Sequence, residues 1–348
     1  MGYVLGLLKS THEGRLRAFW RLLLQFVVYS LLPLPFAILT VIVFARSRGV
    51  SLEGTTLLGP GSNVERMMLG SPVLLLVTQV ILSLGTVASV WLATRFLDRR
   101  PFVSLGLRLN RDWWLDLGFG MVLGALLMVG IFLTEWAAGW VTITGTLQTA
   151  KPSQPFGLVI LFPILLFVAV GVGEELLSRG YQLKNMAEGL NFSVIGARVS
   201  VLLALFLSSS VFGLLHVLNP NTTAISTINI AVAGLLLGAG YVLTGQLAIS
   251  IGLHITWNFF QGNVFGFPVS GLDLVSTTFI ATEQSGPRLW TGGAFGPEGG
   301  LLDPVASFVG IVLIVLWVRR RYGKVSLDTS LAMPPAPSLP SEGQQEES

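Results

Sequence analysis

GVGEELLSRG, residues 171–180, sets Glu174, Glu175 and Arg179 at the end of a stretch, 156–173, that carries no charge at all. On the lenient insertion scale a charge at bilayer depth costs roughly 2.5–3.5 kcal/mol. Three of them together need either a route to water or partners inside the protein. Whether this stretch ends a membrane span or a soluble core helix therefore decides the fold.

Composition decides for the membrane. Of the 348 residues, 52% are hydrophobic and only 11% are charged, against about a quarter charged in a soluble domain. Mean hydropathy is +0.73. The expected class is an all-α polytopic membrane protein. Runs of about twenty apolar residues, enough to span, fall near 22–44, 72–94, 114–138, 156–186, 197–217, 223–243, 246–263 and 302–318, giving about eight transmembrane helices. The fourth outlasts the bilayer and must tilt or project. The seventh is short and polar at its end. Pro33 and Pro35 are expected to kink the first. Small-residue spacings, Gly120/Gly124 and Gly234/Gly238, suit close helix packing in lipid.

The net charge of +3 and pI near 9.4 do not indicate a nucleic-acid partner, because the basic residues lie between apolar runs rather than on one soluble face. Setting Arg179 aside, fifteen Lys and Arg fall in one alternating set of connecting segments and five in the other. This asymmetry places both termini in the cytoplasm. With no cysteine, disulfides, thiolate zinc sites, a cysteine nucleophile and a lipidated CaaX tail are excluded. The first apolar run is too long for a signal h-region, and the residues after Met1-Gly2 lack the myristoylation pattern. No internal repeat of the transporter kind is evident.

The chain divides into N-terminal transmembrane helices without motifs (1–150), a polar-punctuated core (156–263), a Gly-rich loop (264–301), a last transmembrane helix (302–321) and a Pro-, Ser- and Glu-rich tail (322–348) expected to be disordered and cytoplasmic. TGGAFGPEGG, 291–300, lacks the Lys-Ser/Thr of a phosphate-binding loop and reads as a compact re-entrant or extracytoplasmic loop.

Three patterns in the core carry chemistry. In Glu174-Glu175-Leu-Leu-Ser-Arg179, Glu175 and Arg179 are four apart and share a helix face, so they can pair. Glu174 is turned about 100° away and is left as a free carboxylate, suited to act as a general base. The second pattern is Phe212-Gly-Leu-Leu-His216, with ring and imidazole on one face. The third is His254-Ile-Thr-Trp-Asn258, again with spacing of four. Taken singly, the Glu–Arg pair is equally a snorkelling charge cluster, and either His is more often a satisfied interhelical residue than a catalyst. Taken together, a carboxylate, two imidazoles and an amide can share one wet cavity. Such a set suits peptide hydrolysis by activated water, with donors for the oxyanion. Alternatively Glu174, His216 and His254 could ligate Zn²⁺. HExxH, GxSxG and the P-loop are absent.

These motifs resemble those of the CAAX prenyl endopeptidase and bacteriocin-processing (CPBP, or Abi) family: EExxxR at Glu174-Glu175-Arg179, FxxxH at Phe212-His216, and HxxxN at His254-Asn258, in that order on successive helices. The likeness covers about 157–262, and QGNVFGFPVSG and TGGAFGPEGG extend it to about 302. It implies an eight-helix intramembrane protease with a conical cavity open to cytoplasm and lipid. By the likeness, Glu174 and His216 activate water, His254 and Asn258 form the oxyanion hole, and Glu175, Arg179 and Phe212 support the site. The family has been described both as zinc-dependent and as a metal-free glutamate protease, and the latter is expected here, with no cofactor. The implied partners are a bilayer, that of a bacterial inner or plasma membrane, and a membrane-associated peptide or protein. An ion-coupled transporter or a non-catalytic immunity protein would use the same polar residues without cleavage.

Overall fold

The computed structural model describes residues 15–49, 63–149, 153–273 and 277–335. Among them, seven helical segments are long and apolar enough to cross a membrane: Ala18–Ser47, Pro72–Leu97, Arg111–Ala137, Phe156–Leu190, Gly196–Leu215, Ala224–Thr244 and Leu302–Tyr322. Large apolar side chains on their outer faces are open, Leu126 and Phe206 at 60% and Phe308 at 69%. Apolar surface this extensive suits contact with lipid rather than water. The chain is an integral, multi-pass membrane protein.

The first span breaks where its prolines fall. Helix α1 is Ala18–Leu31, and α2, Leu34–Ser47, starts immediately after Pro33. Helix α3 is Pro72–Leu92, capped by the Ser71 side chain, and α4 is Arg111–Ala137, capped by Asn110. Helix α5, Leu161–Glu175, runs directly into a π-helical segment, Leu176–Leu183. Helices α6, Gly196–Leu215, and α7, Ala224–Thr244, form an antiparallel pair, α7 opened by a Thr223/Ser226 capping box.

The seventh expected span, 246–263, is a 12-residue helix, α8 (Ala248–Phe259), continued by a π turn, Phe260–Val264. At 1.5 Å per residue α8 covers about 18 Å of a hydrocarbon core of about 30 Å, and the π turn carries the chain further. Protein surrounds it instead of lipid: every residue from Ala248 to Asn258 except Ile255 is buried. A Cβ at Gly120 or Gly124 of α4 would overlap the carbonyl oxygen of Ile249 or Leu253 of α8, so only glycine permits this approach. Hydroxyls fix the contact: Thr256 Oγ1 donates to the Met121 carbonyl at 2.8 Å, and Ser250 Oγ to the Leu237 carbonyl of α7 at 2.6 Å. Gly234 and Gly238 of α7 likewise face Ser209 and Leu205 of α6.

Helix α9, Leu302–Tyr322, closes the bundle against α4, where Asp116 accepts hydrogen bonds from Trp317 Nε1 (2.9 Å) and Tyr322 Oη (2.7 Å). A feature absent from the sequence reading is an antiparallel pair of strands, β1 (Val141–Thr149) and β2 (Thr277–Gln284), with Val141 opposite Gln284, Thr149 opposite Thr277, and a register irregularity at Ile143/Gly145.

At one end of the bundle a buried ion network binds α1 to the core. Arg21 meets Asp98 at 2.9 Å and Glu188 at 3.2 Å, Arg15 meets Glu188 at 3.0 Å, and Arg100 pairs with both carboxylates. Asn185 adds a 3.0 Å hydrogen bond to Asp98. Arg15, Arg21 and Arg100, three of the fifteen basic residues that set the expected orientation, are thus held by partners inside the fold.

The expectation of a disordered tail is corrected over residues 322–335. Asp328 caps a short turn, Thr329–Ala332, that buries Leu331 and Ala332. Its backbone N–H donates to the Val242 carbonyl at 2.8 Å. Local capping and two apolar side chains outweigh the Pro-rich composition that follows. Residues 336–348, like Lys9, His12, Glu13 and Lys151, lie outside the described residues.

Candidate active site

The end of α5 settles how the carboxylates of the quoted stretch are treated. Glu175 is fully buried, and its Oε1 accepts from Arg179 Nη1 at 2.9 Å and from His254 Nδ1 at 2.8 Å. Arg179 is 1% exposed. Its Nη2 donates to the Gly234 carbonyl at 3.0 Å, and its Cζ lies 4.5 Å from the centroid of the Phe212 ring. The i,i+4 pair expected from spacing is therefore present, in a site where leaving either charge alone would be costly.

Glu174, one residue earlier and on another face, has no such partner. Its side chain is 37% exposed, and the nearest cationic candidate, His254 Nε2, is 3.9 Å from Oε2. It lines a cavity of about 360 Å³ together with Phe212, His216, His254, Trp257 and Asn258. The four reacting residues expected from the motifs thus share one cavity, and Glu175 and Arg179 stand behind its wall.

Each imidazole has one nitrogen committed. His216, the residue after α6, has Nδ1 2.8 Å from the Phe212 carbonyl oxygen. A carbonyl only accepts, so Nδ1 carries the proton and Nε2 of the neutral ring holds a lone pair. His254 Nδ1 faces a carboxylate already paired with arginine, so it too carries a proton. Its Nε2 becomes a donor only when the ring is an imidazolium. Phe212 spaces these groups: its ring centroid is 4.9 Å from that of His216 and 6.2 Å, edge-on, from that of His254. The Asn258 side chain lines the cavity and makes no hydrogen bond to another described residue.

Among the described residues, no group of three His, Cys, Asp or Glu side chains is disposed to hold a metal ion.

The motif reading missed part of the wall. Asn219, Ser270 and Glu298 also line the cavity, and Glu298 belongs to the Gly-rich segment read as a compact re-entrant or extracytoplasmic loop. That segment is buried from Phe295 to Gly300. The available signal was the lone acidic residue among glycines, which has no reason to be there in a loop that only turns.

A family model described as type II CAAX prenyl endopeptidase Rce1-like matches residues 156–260, bearing out the resemblance drawn from the three motifs. The chain is also similar to the uncharacterized protein YyaK of Bacillus subtilis (strain 168), 24% identical over 201 residues. That alignment covers 57% of this chain and 64% of YyaK, so the chain spans less than two thirds of that relative. No solved structure matches the chain.

Proposed function

We propose that this protein is an intramembrane endopeptidase that hydrolyses peptide bonds of membrane-associated or lipidated peptides and proteins with a glutamate-activated water. The observation that carries the reading is the contrast at the end of α5: Glu175 is saturated by Arg179 and His254, while Glu174 is left open on a cavity shared with His216, His254 and Asn258.

In this reading Glu174 and the free Nε2 of His216 hold a water. Its oxygen attacks the scissile carbonyl carbon as Glu174 takes the proton. The oxyanion faces the imidazolium N–H of His254 and the Asn258 amide, donors whose removal in other hydrolases costs about 3–4 kcal/mol. Collapse breaks the C–N bond, and the Glu174 carboxyl returns the proton to the leaving amine. Glu175 and Arg179 fix His254, and Phe212 keeps the two imidazoles apart.

The reaction is metal-free in this account. The enzyme works in a bacterial inner or plasma membrane with both termini cytoplasmic, a placement that rests on the distribution of Lys and Arg. The test is incubation of the purified protein in detergent with prenylated and unprenylated membrane peptides, with and without chelator, read by mass spectrometry. Cleavage unaffected by chelator is expected. Cleavage lost to chelator and restored by Zn²⁺ would overturn the metal-free mechanism, and no cleavage of any peptide would count against the activity.

A further inference from the structure

The cavity wall also contains a carboxylate that the mechanism does not use. Glu298 is 5% exposed, and its Oε2 accepts from Ser270 N (2.6 Å), Ser270 Oγ (3.0 Å) and Gln261 Nε2 (3.1 Å). Three donors on one oxygen leave no place for a proton there. Its Oε1 accepts nothing from any described residue, although the side chain lines the cavity.

The surroundings hold this group in place. Ser270 has φ +48°, rare for a residue with a side chain, and its carbonyl accepts from Asn219 Nδ2 at 2.9 Å. Backbone held in such a conformation is found where the surrounding structure over-determines it, often at binding sites. The Gly-rich segment reaches this turn only because Gly296, at φ +93°, has no Cβ: one would overlap the Pro268 carbonyl oxygen.

Charge completes the picture. Among the described residues, no Lys or Arg lines the cavity, and the carboxylates that do are Glu174 and Glu298. Glu298 has no ion pair with a described residue. A buried carboxylate with one satisfied and one open oxygen calls for a donor that brings positive charge.

We propose that Glu298, seated by Ser270 and Gln261, is a specificity subsite that binds an ammonium or guanidinium group of the substrate. The group is either a Lys or Arg side chain near the scissile bond or the peptide's free amino terminus. This deepens the endopeptidase reading and rests on it for the identity of the ligand.

The probes are N-acylated membrane-partitioning peptides in which Lys replaces norleucine at each position in turn, together with one parent peptide carrying a free or an acetylated N-terminus. Cleavage is measured with wild-type protein, and equilibrium binding with Glu174→Gln protein in nanodiscs, which leaves Glu298 as the carboxylate in the cavity. At least about tenfold preference for the cationic member of one pair is expected. The pair that responds identifies side chain or terminus. The ratio falls to near one in Glu298→Gln and persists in Glu298→Asp. Absence of any preference in wild type, or its survival in Glu298→Gln, would overturn the subsite, and the wild-type result decides even if Glu298→Gln fails to fold. Cleavage without preference sinks the subsite and leaves the protease. Preference in binding that Glu298→Gln abolishes, with no cleavage, does the reverse.

Discussion

Glu175 accepts a 2.8 Å hydrogen bond from His254 Nδ1 on the same oxygen that pairs with Arg179. One buried carboxylate thereby neutralises a guanidinium and sets the orientation and tautomer of an imidazole on another helix. The arrangement sets the two adjacent glutamates apart: one is paired on both sides and its neighbour is left open on the cavity.

Glu175→Gln removes the negative charge and leaves Arg179, 1% exposed, without compensation. The expected loss of stability is about 3–5 kcal/mol, measurable as a lowered midpoint of thermal unfolding in detergent. Pairing it with Arg179→Met should recover part of that stability but not activity, because His254 remains unheld.

Gly124→Val places a side chain where α4 meets the Leu253 carbonyl of α8. The helix carrying His254 and Asn258 must shift. A stability loss of about 1–3 kcal/mol is expected from overpacking, with a fall of about a hundredfold in kcat/KM as the site loses geometry. The same substitution at Gly118, which has open space around it, should change neither unfolding nor turnover appreciably.

Asp98→Ala strips the ion network of its fully buried acceptor, leaving Arg15, Arg21 and Arg100 to share Glu188. Destabilisation of about 3–5 kcal/mol is expected, seen as earlier thermal unfolding. The network lies away from the cavity, so the protein that remains folded should keep the wild-type substrate preference. A changed preference would show that α1 and the cavity are coupled.

Phe212→Leu keeps apolar volume but removes the ring that faces Arg179 and separates the imidazoles. Loss of the cation–π contact amounts to about 1–2 kcal/mol when desolvated. The larger effect should be on turnover, read as a fall in kcat with KM little altered.

The sequence made the motif helices legible because their chemistry lies in residues out of place in lipid. Glu174, Arg179, His216, His254 and Asn258 interrupt apolar runs, and spacing of four states which of them share a face. Gly120 and Gly124 announced a close helix crossing for the same local reason. What was not legible depends on distant parts of the chain. Nothing near Asp98 or Glu188 shows that they meet Arg15, Arg21 and Arg100. The role of Glu298 rests on a turn 28 residues away. The strand Val141–Thr149 did carry a local sign, Val, Thr and Ile in a β-branched run, but its partner begins 128 residues later, at Thr277. The burial of α8 among other helices was not legible, because burial in protein and burial in lipid select the same apolar side chains.

The central claim is that Glu174 is the base. The direct measurement is the initial rate of cleavage of one validated peptide by wild-type and Glu174→Gln protein at equal folded concentration, with products assigned by mass spectrometry. General-base catalysis contributes about 10²–10⁴-fold, so Glu174→Gln should cut at least a hundredfold more slowly while binding the peptide normally. Cleavage by Glu174→Gln at the wild-type rate would contradict the account.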